Sequence, residues 1–362
     1  MSLEGGELEN LRLFCTISKT VKKTTIHDIA AELGVTFSTV ARALNDHPAI
    51  SAATKAAVLE TARRLNYQQN KLASSLRSGR SNVIGIIVPS LDTSFFSSVV
   101  HGMERVLNEN GYSVLLYQTG ESQVQEQKGV NTFLQSRVDG VLASVSAEKD
   151  QTEFYASLRK RQVPLLFFDR AIQELAIPSV TINDFQGGFA ATEHLIQQGY
   201  QNIVHIMSDL HLTIFKERLR GYVEALKQHG LPVREELIFK GRVSLELGQQ
   251  TVQQLLETQT PFDAIFAAED YTAMGALQTL QERGVPVPEK VGIIGFANEA
   301  FGAFVTPSLS TVDQQTVKMG EETARLFLQL SGQKNFYQET PERIVLDPIL
   351  VPRKSSTRGV NQ

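Results

Sequence analysis

From residue 82 to about residue 294, short apolar runs alternate with helix-length amphipathic segments, and this alternation restricts the fold more than any other feature of the chain. The apolar runs lie at 83–88, 114–116, 141–142, 164–168, 203–206, 264–266 and 291–294, with helical periodicity at 95–111, 185–199, 215–230, 244–257 and 271–284. Near-continuous apolar strands are buried on both faces, which predicts parallel sheets covered by helices on either side. A helix-Gly-Tyr-strand unit occurs twice, at 110–112 and 198–200, and predicts two similar α/β halves. With 362 residues the chain exceeds the roughly 100–200 of one ordinary domain, so further folded units are expected.

The N-terminal part has a different texture. Residues 1–23 form an extension without an obvious element. Beyond it, Ile26, Ile29, Ala30 and Leu33 repeat at helical spacing behind a capping Thr24 or Thr25, and Gly34 ends that helix. A second helix is predicted over 37–44 and a third after Ser51, through Leu65, before Asn66-Tyr67. The first two have the spacing of a helix-turn-helix, whose second helix fits the major groove of duplex DNA. Phe37, Ser38 and Arg42 would then face base edges, with Arg42 able to pair bidentately with guanine, and Thr36 at the N-cap would meet a phosphate. Charge is consistent with a polyanionic partner: residues 22–80 hold nine Lys/Arg against four Asp/Glu, or +5, which leaves -9 for the rest of a chain of net charge -4.

The polar stretch 68–81 reads as a linker. Within it 71–76 is too short for a stable isolated helix, since helices under about 12 residues are marginal. It is expected to order only against a partner, where Leu76 could wedge between base steps in the minor groove or pack on its own domain.

In open parallel sheets, ligands bind beyond the carboxyl ends of the strands. The residues there are Ser90, Asp92, Phe95, Phe96, Ser144, Ser146, Asp169, Arg170, Asp209, Glu269, Asp270, Asn298, Glu299 and, after the last strand, Gln314. Carboxylates, amides and an aromatic face suit a polyhydroxylated or polar small molecule. Asp and Asn in these positions also cap helices, and Asp270 is the residue most expected to do so.

Several segments carry a resemblance: Thr25-Ile26-His27-Asp28-Ile29-Ala30, Leu33-Gly34-Val35-Thr36, Ser38-Thr39-Val40-Ala41-Arg42-Ala43-Leu44-Asn45 and Leu65-Asn66-Tyr67, then Ala73-Ser74-Ser75-Leu76, Val138-Asp139-Gly140, Ala273-Met274-Gly275-Ala276-Leu277 and Thr306-Pro307-Ser308-Leu309-Ser310-Thr311-Val312. In this order, over 24 to about 353, the chain resembles the lactose-repressor (LacI/GalR) family of bacterial transcription regulators. That resemblance implies a homodimer or tetramer on a palindromic double-stranded operator, with a periplasmic-binding-protein-like core of two doubly wound subdomains that takes a small effector, often a sugar or nucleobase. It places Phe37, Ser38 and Arg42 on base-reading positions, Thr36 and Asn45 on backbone-contact positions, and Leu76 on the minor-groove lever; Thr25 and Thr39 complete the expected DNA-contacting set. Arg218 matches an effector-contacting arginine, and Phe95, Asp169 and Glu269 fall on pocket positions. The chain departs from the family at Gly295-Phe296-Ala297-Asn298-Glu299, where Ala297 replaces an effector-binding aspartate, and it has no tryptophan to stack on a sugar.

The domains expected on this reading are 24–69 for DNA binding, 70–81 for the hinge, 82–182 with 314–341 for one core subdomain, 183–313 with 342–354 for the other, and 355–362 as a tail. A ligand-switched regulator, more often a repressor, is the leading expectation. A sugar-binding protein with the same core but no regulatory role is the alternative, against which stand the basic helical module and the lack of a signal peptide. An enzyme is not expected, because no Gly-x-Gly-x-x-Gly, no Gly-x-Ser-x-Gly elbow and no His/Cys metal spacing is found. Neither a cofactor nor a metal is therefore expected. One cysteine and the want of any long apolar run point to a cytoplasmic protein off the membrane, and no leucine heptad follows Arg353 to build a coiled-coil tetramer.

Overall fold

The computed structural model describes residues 24–67, 79–92, 94–146, 153–210 and 212–358. Leu76, the short hinge helix and the extension 1–23 lie outside them. The chain divides into two compact units at Gly79 and Arg80.

The first unit is a bundle of α1 (Ile26–Leu33), α2 (Phe37–Leu44) and α3 (Ala52–Arg64). Its helices start where the sequence offers caps. Thr25 accepts from the Asp28 amide while the Asp28 carboxylate accepts from the Thr25 amide at 2.7 Å, a reciprocal capping box. Thr36 and Ser51 cap α2 and α3. Gly34 has φ 62, a left-handed conformation that costs glycine little, and it allows the tight turn between α1 and α2. Ile29, Val40, Ala43 and Val58 close the core of this unit.

In the second unit, a six-stranded parallel sheet runs through β1 (Val83–Val88), β2 (Ser113–Gln118), β3 (Gly140–Ala143), β4 (Leu165–Phe168) and β5 (Ser179–Ile182). Its helices are α4 (Ser94–Glu109), α5 (Gln123–Gln135) and α6 (Glu153–Lys160). The chain then crosses into a second sheet made of β6 (Ile203–Ser208), β7 (Ile238–Gly241), β8 (Ala264–Ala267) and β9 (Gly292–Ile294), with α7 (Asp184–Gln197), α8 (Thr213–Gln228), α9 (Leu245–Glu257) and α10 (Asp270–Glu282). β10 (Thr311–Asp313) pairs antiparallel with β12 (Ile349–Val351) and meets the second sheet through bridges at Ile294–Ser310 and Ala297–Asp313. Between them, α11 (Thr316–Ser331) returns to pack on α4, and β11 (Arg343–Leu346) completes the first sheet beside β5. The strand order is β11-β5-β4-β3-β1-β2 in the first sheet and β7-β6-β8-β9 in the second. Each sheet has apolar clusters, the first around Leu166 and Phe167, the second around Ile265 and Phe266, because alternate side chains of a doubly covered strand point to opposite faces.

Two expected boundaries need correction. Segment 342–354 does not belong as a whole to the second half, because Arg343–Leu346 is a strand of the first sheet and only Ile349–Val351 joins the second half. Residues 355–358 are not a loose tail: Ser355 and Ser356 are fully buried, and Ser355 bonds the Ile293 carbonyl and the Ser310 amide. The two halves are thus joined by three crossings, after β5, β10 and β11, and the first and third are tied where the Asn183 amide donates to the Leu346 carbonyl at 2.9 Å. Among the described residues no helix is long and apolar enough to cross a membrane.

Candidate functional site

Two sites can be built from the residues upward, one on each unit. On the helical unit, α2 buries Val40 and Ala43 and turns its other face outward. Phe37, at 57% exposure, is costly in water and lies against the His27 ring, with centroids 5.4 Å apart. Arg42 is exposed and forms no ion pair among the described residues. An apolar ring and an uncommitted guanidinium on one short helix make a surface prepared for a partner. The hydroxyls nearby are instead occupied: Thr36 Oγ lies 2.8 Å from Ser38 Oγ and 2.9 Å from Thr39 Oγ, and the Thr39 amide donates to it. Thr25 is engaged in its capping box, and the Asn45 side-chain amide donates to the Ala41 carbonyl at 2.9 Å.

On the core unit, a cavity of about 650 Å³ opens between the two halves. Asp169 and Arg170 enter it from the end of β4, Ser146 from the end of β3, Asp184 and Phe185 from the start of α7, and Thr213, Ile214 and Glu217 from α8. Asp169 has φ 58, which turns the chain sharply and points the carboxylate back to Ser144 Oγ at 3.2 Å. Its proton affinity is raised by burial, with Arg170 and Arg218 opposing. Behind the cavity, Arg218, at 4% exposure, donates through Nε to Asp184 at 2.9 Å and through one terminal nitrogen to the Ala268 carbonyl at 2.8 Å, while its other terminal nitrogen lies 2.8 Å from the same Asp184 oxygen. Its guanidinium also lies 3.7 Å from the Phe296 ring centroid. This close approach of α7 and α8 depends on Gly188, where a methyl group would overlap the Arg218 carbonyl.

Of the ten expected effector residues, Asp169 and Arg170 line this cavity and Arg218 supports it through Asp184. Phe96 is buried edge-on to Phe168, with Phe95 against it at 4.9 Å. Ser90 Oγ accepts from the Asp92 amide at 3.0 Å in a turn outside the cavity lining. Asn298 is held at both ends, donating to Asp313 at 3.0 Å and accepting from Arg353 at 2.7 Å. Gln314 is buried after β10. Glu269 and not Asp270 caps α10, accepting from the Thr272 amide; Asp270, the expected cap, is instead fully buried and accepts from the Glu299 amide and Thr311 hydroxyl at 2.7 Å. The capping position precedes the first helical residue, and the sequence leaves that register open by one. Ser94 Oγ donates to Glu299 across the cleft at 2.6 Å. Sequence reasoning missed Asp184 because the strand before it is the mixed Ser179-Val180-Thr181-Ile182 and raises no apolar signal, and it missed Thr213 and Glu217 because they sit on the helix after β6, beyond the strand-end residue Asp209.

These carboxylates link stability to pH. Burial first, then the neighbouring Asp270 and Glu299 charges, push Glu269 from an ordinary 4.5 to about 7. Burial likewise lifts Asp184 and Asp270 to about 6. The folded chain therefore holds protons that the unfolded chain has released, and stability falls as pH rises through 6 to 7. His205, held near 4 by burial, acts in the opposite direction but only below its ordinary 6.5. Tm is expected to drop from about pH 6.5 to about pH 8.5, and Glu269→Gln to flatten the slope; an unchanged slope in the variant would place the proton elsewhere.

Comparison with known proteins adds a family. Residues 25–70 match the model described as bacterial regulatory proteins, lacI family, and 81–347 match that of periplasmic binding proteins and sugar binding domain of LacI family. The chain is 32% identical to the HTH-type transcriptional regulator DegA of Bacillus subtilis (strain 168), over 92% of this chain and 98% of that one. It is 33% identical to catabolite control protein A of Priestia megaterium, over 83% and 91%. Among solved structures, the lac repressor dimer bound to operator and the anti-inducer ONPF aligns with a TM-score of 0.82 at 26% identity, covering 93% of this chain and all of that one. A transcriptional regulator CelR-cellobiose complex aligns at 0.69 and 29% identity, covering 92% of this chain and all of that one.

Proposed function

The chain belongs to the LacI family of bacterial transcriptional regulators, and from that premise we propose that it is a repressor that grips a palindromic operator as a homodimer and is switched by a sugar-like effector in the core cavity. The observation that carries the DNA-binding half is the exposed, uncommitted Arg42 beside exposed Phe37 on α2. A guanidinium with no ion pair among the described residues breaks no internal salt bridge when it pairs with guanine, and Phe37 offers an apolar surface to a thymine methyl. Ser38 then faces base edges beside them, Thr36 and Asn45 hold the helix ends against phosphates, Thr25 and Thr39 complete the contacting set, and Leu76 would act in the minor groove.

The effector half rests on the cavity between two halves joined by three crossings. A ligand touching Ser146 and Asp169 on one side and Thr213 and Asp184 on the other would bridge the two halves and so favour the arrangement that brings all four within reach. Closure then shifts the arrangement of the two heads of a dimer, by no more than the ligand's differential affinity for the two states. The molecule works as a binding switch without catalysis.

Retardation of promoter fragments and of random duplex at two salt concentrations tests this reading. A specific fragment should be held far more tightly than random duplex, and log K should fall linearly with log salt through released counterions. Equal affinity for both duplexes would remove the operator.

A further inference from the structure

The cations at the cavity are already neutralised. Arg170 donates through one terminal nitrogen to both oxygens of Glu121, each at 2.9 Å, and its Nε lies 3.6 Å from an Asp169 oxygen. That Nε is buried and has no hydrogen-bond partner among the described residues. Arg218 is spent on Asp184 and a backbone carbonyl. Against these two cations stand Glu121, Asp169 and Asp184, and Glu174 and Glu217 add a fourth and a fifth carboxylate on the cavity wall. A ligand's phosphate or carboxylate would thus enter a net negative site, and to reach Arg170 it must displace a carboxylate already placed.

We infer that Glu121 is a specificity-determining residue, which by holding the Arg170 guanidinium closes the cavity to anionic effectors and reserves it for uncharged, hydroxyl-rich ones. The inference rests on the reading of this cavity as the effector site. Glu121 comes from the turn after β2 and reaches Arg170 across 49 positions of sequence, so it acts on a group that itself lines the cavity. Asp169, held by Ser144 and facing the cavity, is an acceptor suited to ligand hydroxyls rather than to another oxyanion. Removing the Glu121 charge while keeping its shape should release Arg170 as an anion site.

Thermal shifts of the full chain with sodium phosphate or glucuronate, at ionic strength held constant with chloride, test this. Wild type should show no anion-dependent rise in Tm that Arg170→Gln removes. Glu121→Gln should gain one, with apparent affinity improved at least about tenfold, and Arg170→Gln on that background should abolish it. Stabilisation that survives Arg170→Gln arises elsewhere in the chain and is subtracted. A rise in wild type that depends on Arg170 would overturn the inference, as would a Glu121→Gln variant that gains nothing. Should that variant not fold, Glu121→Ser and the wild-type measurement decide by the same criteria. No DNA is present, so failure here leaves operator binding to be judged by the retardation experiment.

Discussion

Arg218→Met is expected to cost about 3–5 kcal/mol of unfolding free energy near pH 8, because it strands a buried carboxylate. Asp184 is 7% exposed and meets Arg218 at 2.8 Å, in the place where the second half begins. In the variant nothing replaces that charge, and Asp184 regains neutrality only by taking a proton. Burial lifts it to about 6 even with Arg218 opposing, and loss of the arginine lifts it further, so the deficit should shrink as pH falls from 8 toward 5 and the carboxyl takes up its proton. Adding Asp184→Asn should recover much of the loss, since removing both partners avoids the uncompensated charge. Urea unfolding of the two variants at about pH 8 and about pH 5 checks this; equal loss at both values would mean that the deficit is packing around Phe296 and not electrostatics.

Arg42→Glu is expected to have the largest functional effect. Specific operator affinity should fall by about a thousandfold or more, toward or below the level of random duplex, since a guanine contact is lost and a phosphate-repelling charge replaces it. Stability should fall by only about 1 kcal/mol or less, because Arg42 is exposed and carries no ion pair among the described residues, and its place in the last turn of α2 leaves a modest helix-dipole penalty for a carboxylate. The contrast with Arg218 is the point: two arginines of one chain, one committed internally and one available. Retardation together with a melting curve separates them, and a stable Arg42→Glu protein that still held its operator would take base reading away from α2.

The helical head was readable from sequence because its signals are local. Thr25 with Asp28, Thr36, Gly34 and Ser51 mark helix ends within a few residues of where their effects appear, and α1 and α2 have the bounds that periodicity predicts. Strands with unbroken apolar runs were readable for a related reason: Val83–Val88 and Leu165–Phe168 are apolar throughout, as burial on both faces demands, whereas the interior strand Ser179–Ile182 carries two hydroxyl residues and gave no such run. The edge strands β7 and β11 were not readable. Ile238–Gly241 and Arg343–Leu346 each expose part of their length, so their composition does not separate them from loops, and the exchange of the second into the first sheet has no local mark. The site was legible only as a set of strand ends. Which of those side chains are occupied depends on partners far along the chain, as with Asn298 and Arg353, 55 positions apart, or Ser94 and Glu299, 205 apart.

Selection of bound duplexes from a random pool by the purified full chain bears most directly on the account. The predicted result is enrichment of one inverted repeat, its two halves alike and lost with Arg42→Glu, as a two-fold dimer reading the groove with α2 requires. Recovery of no consensus, or of the same sequences by wild type and Arg42→Glu, would contradict it.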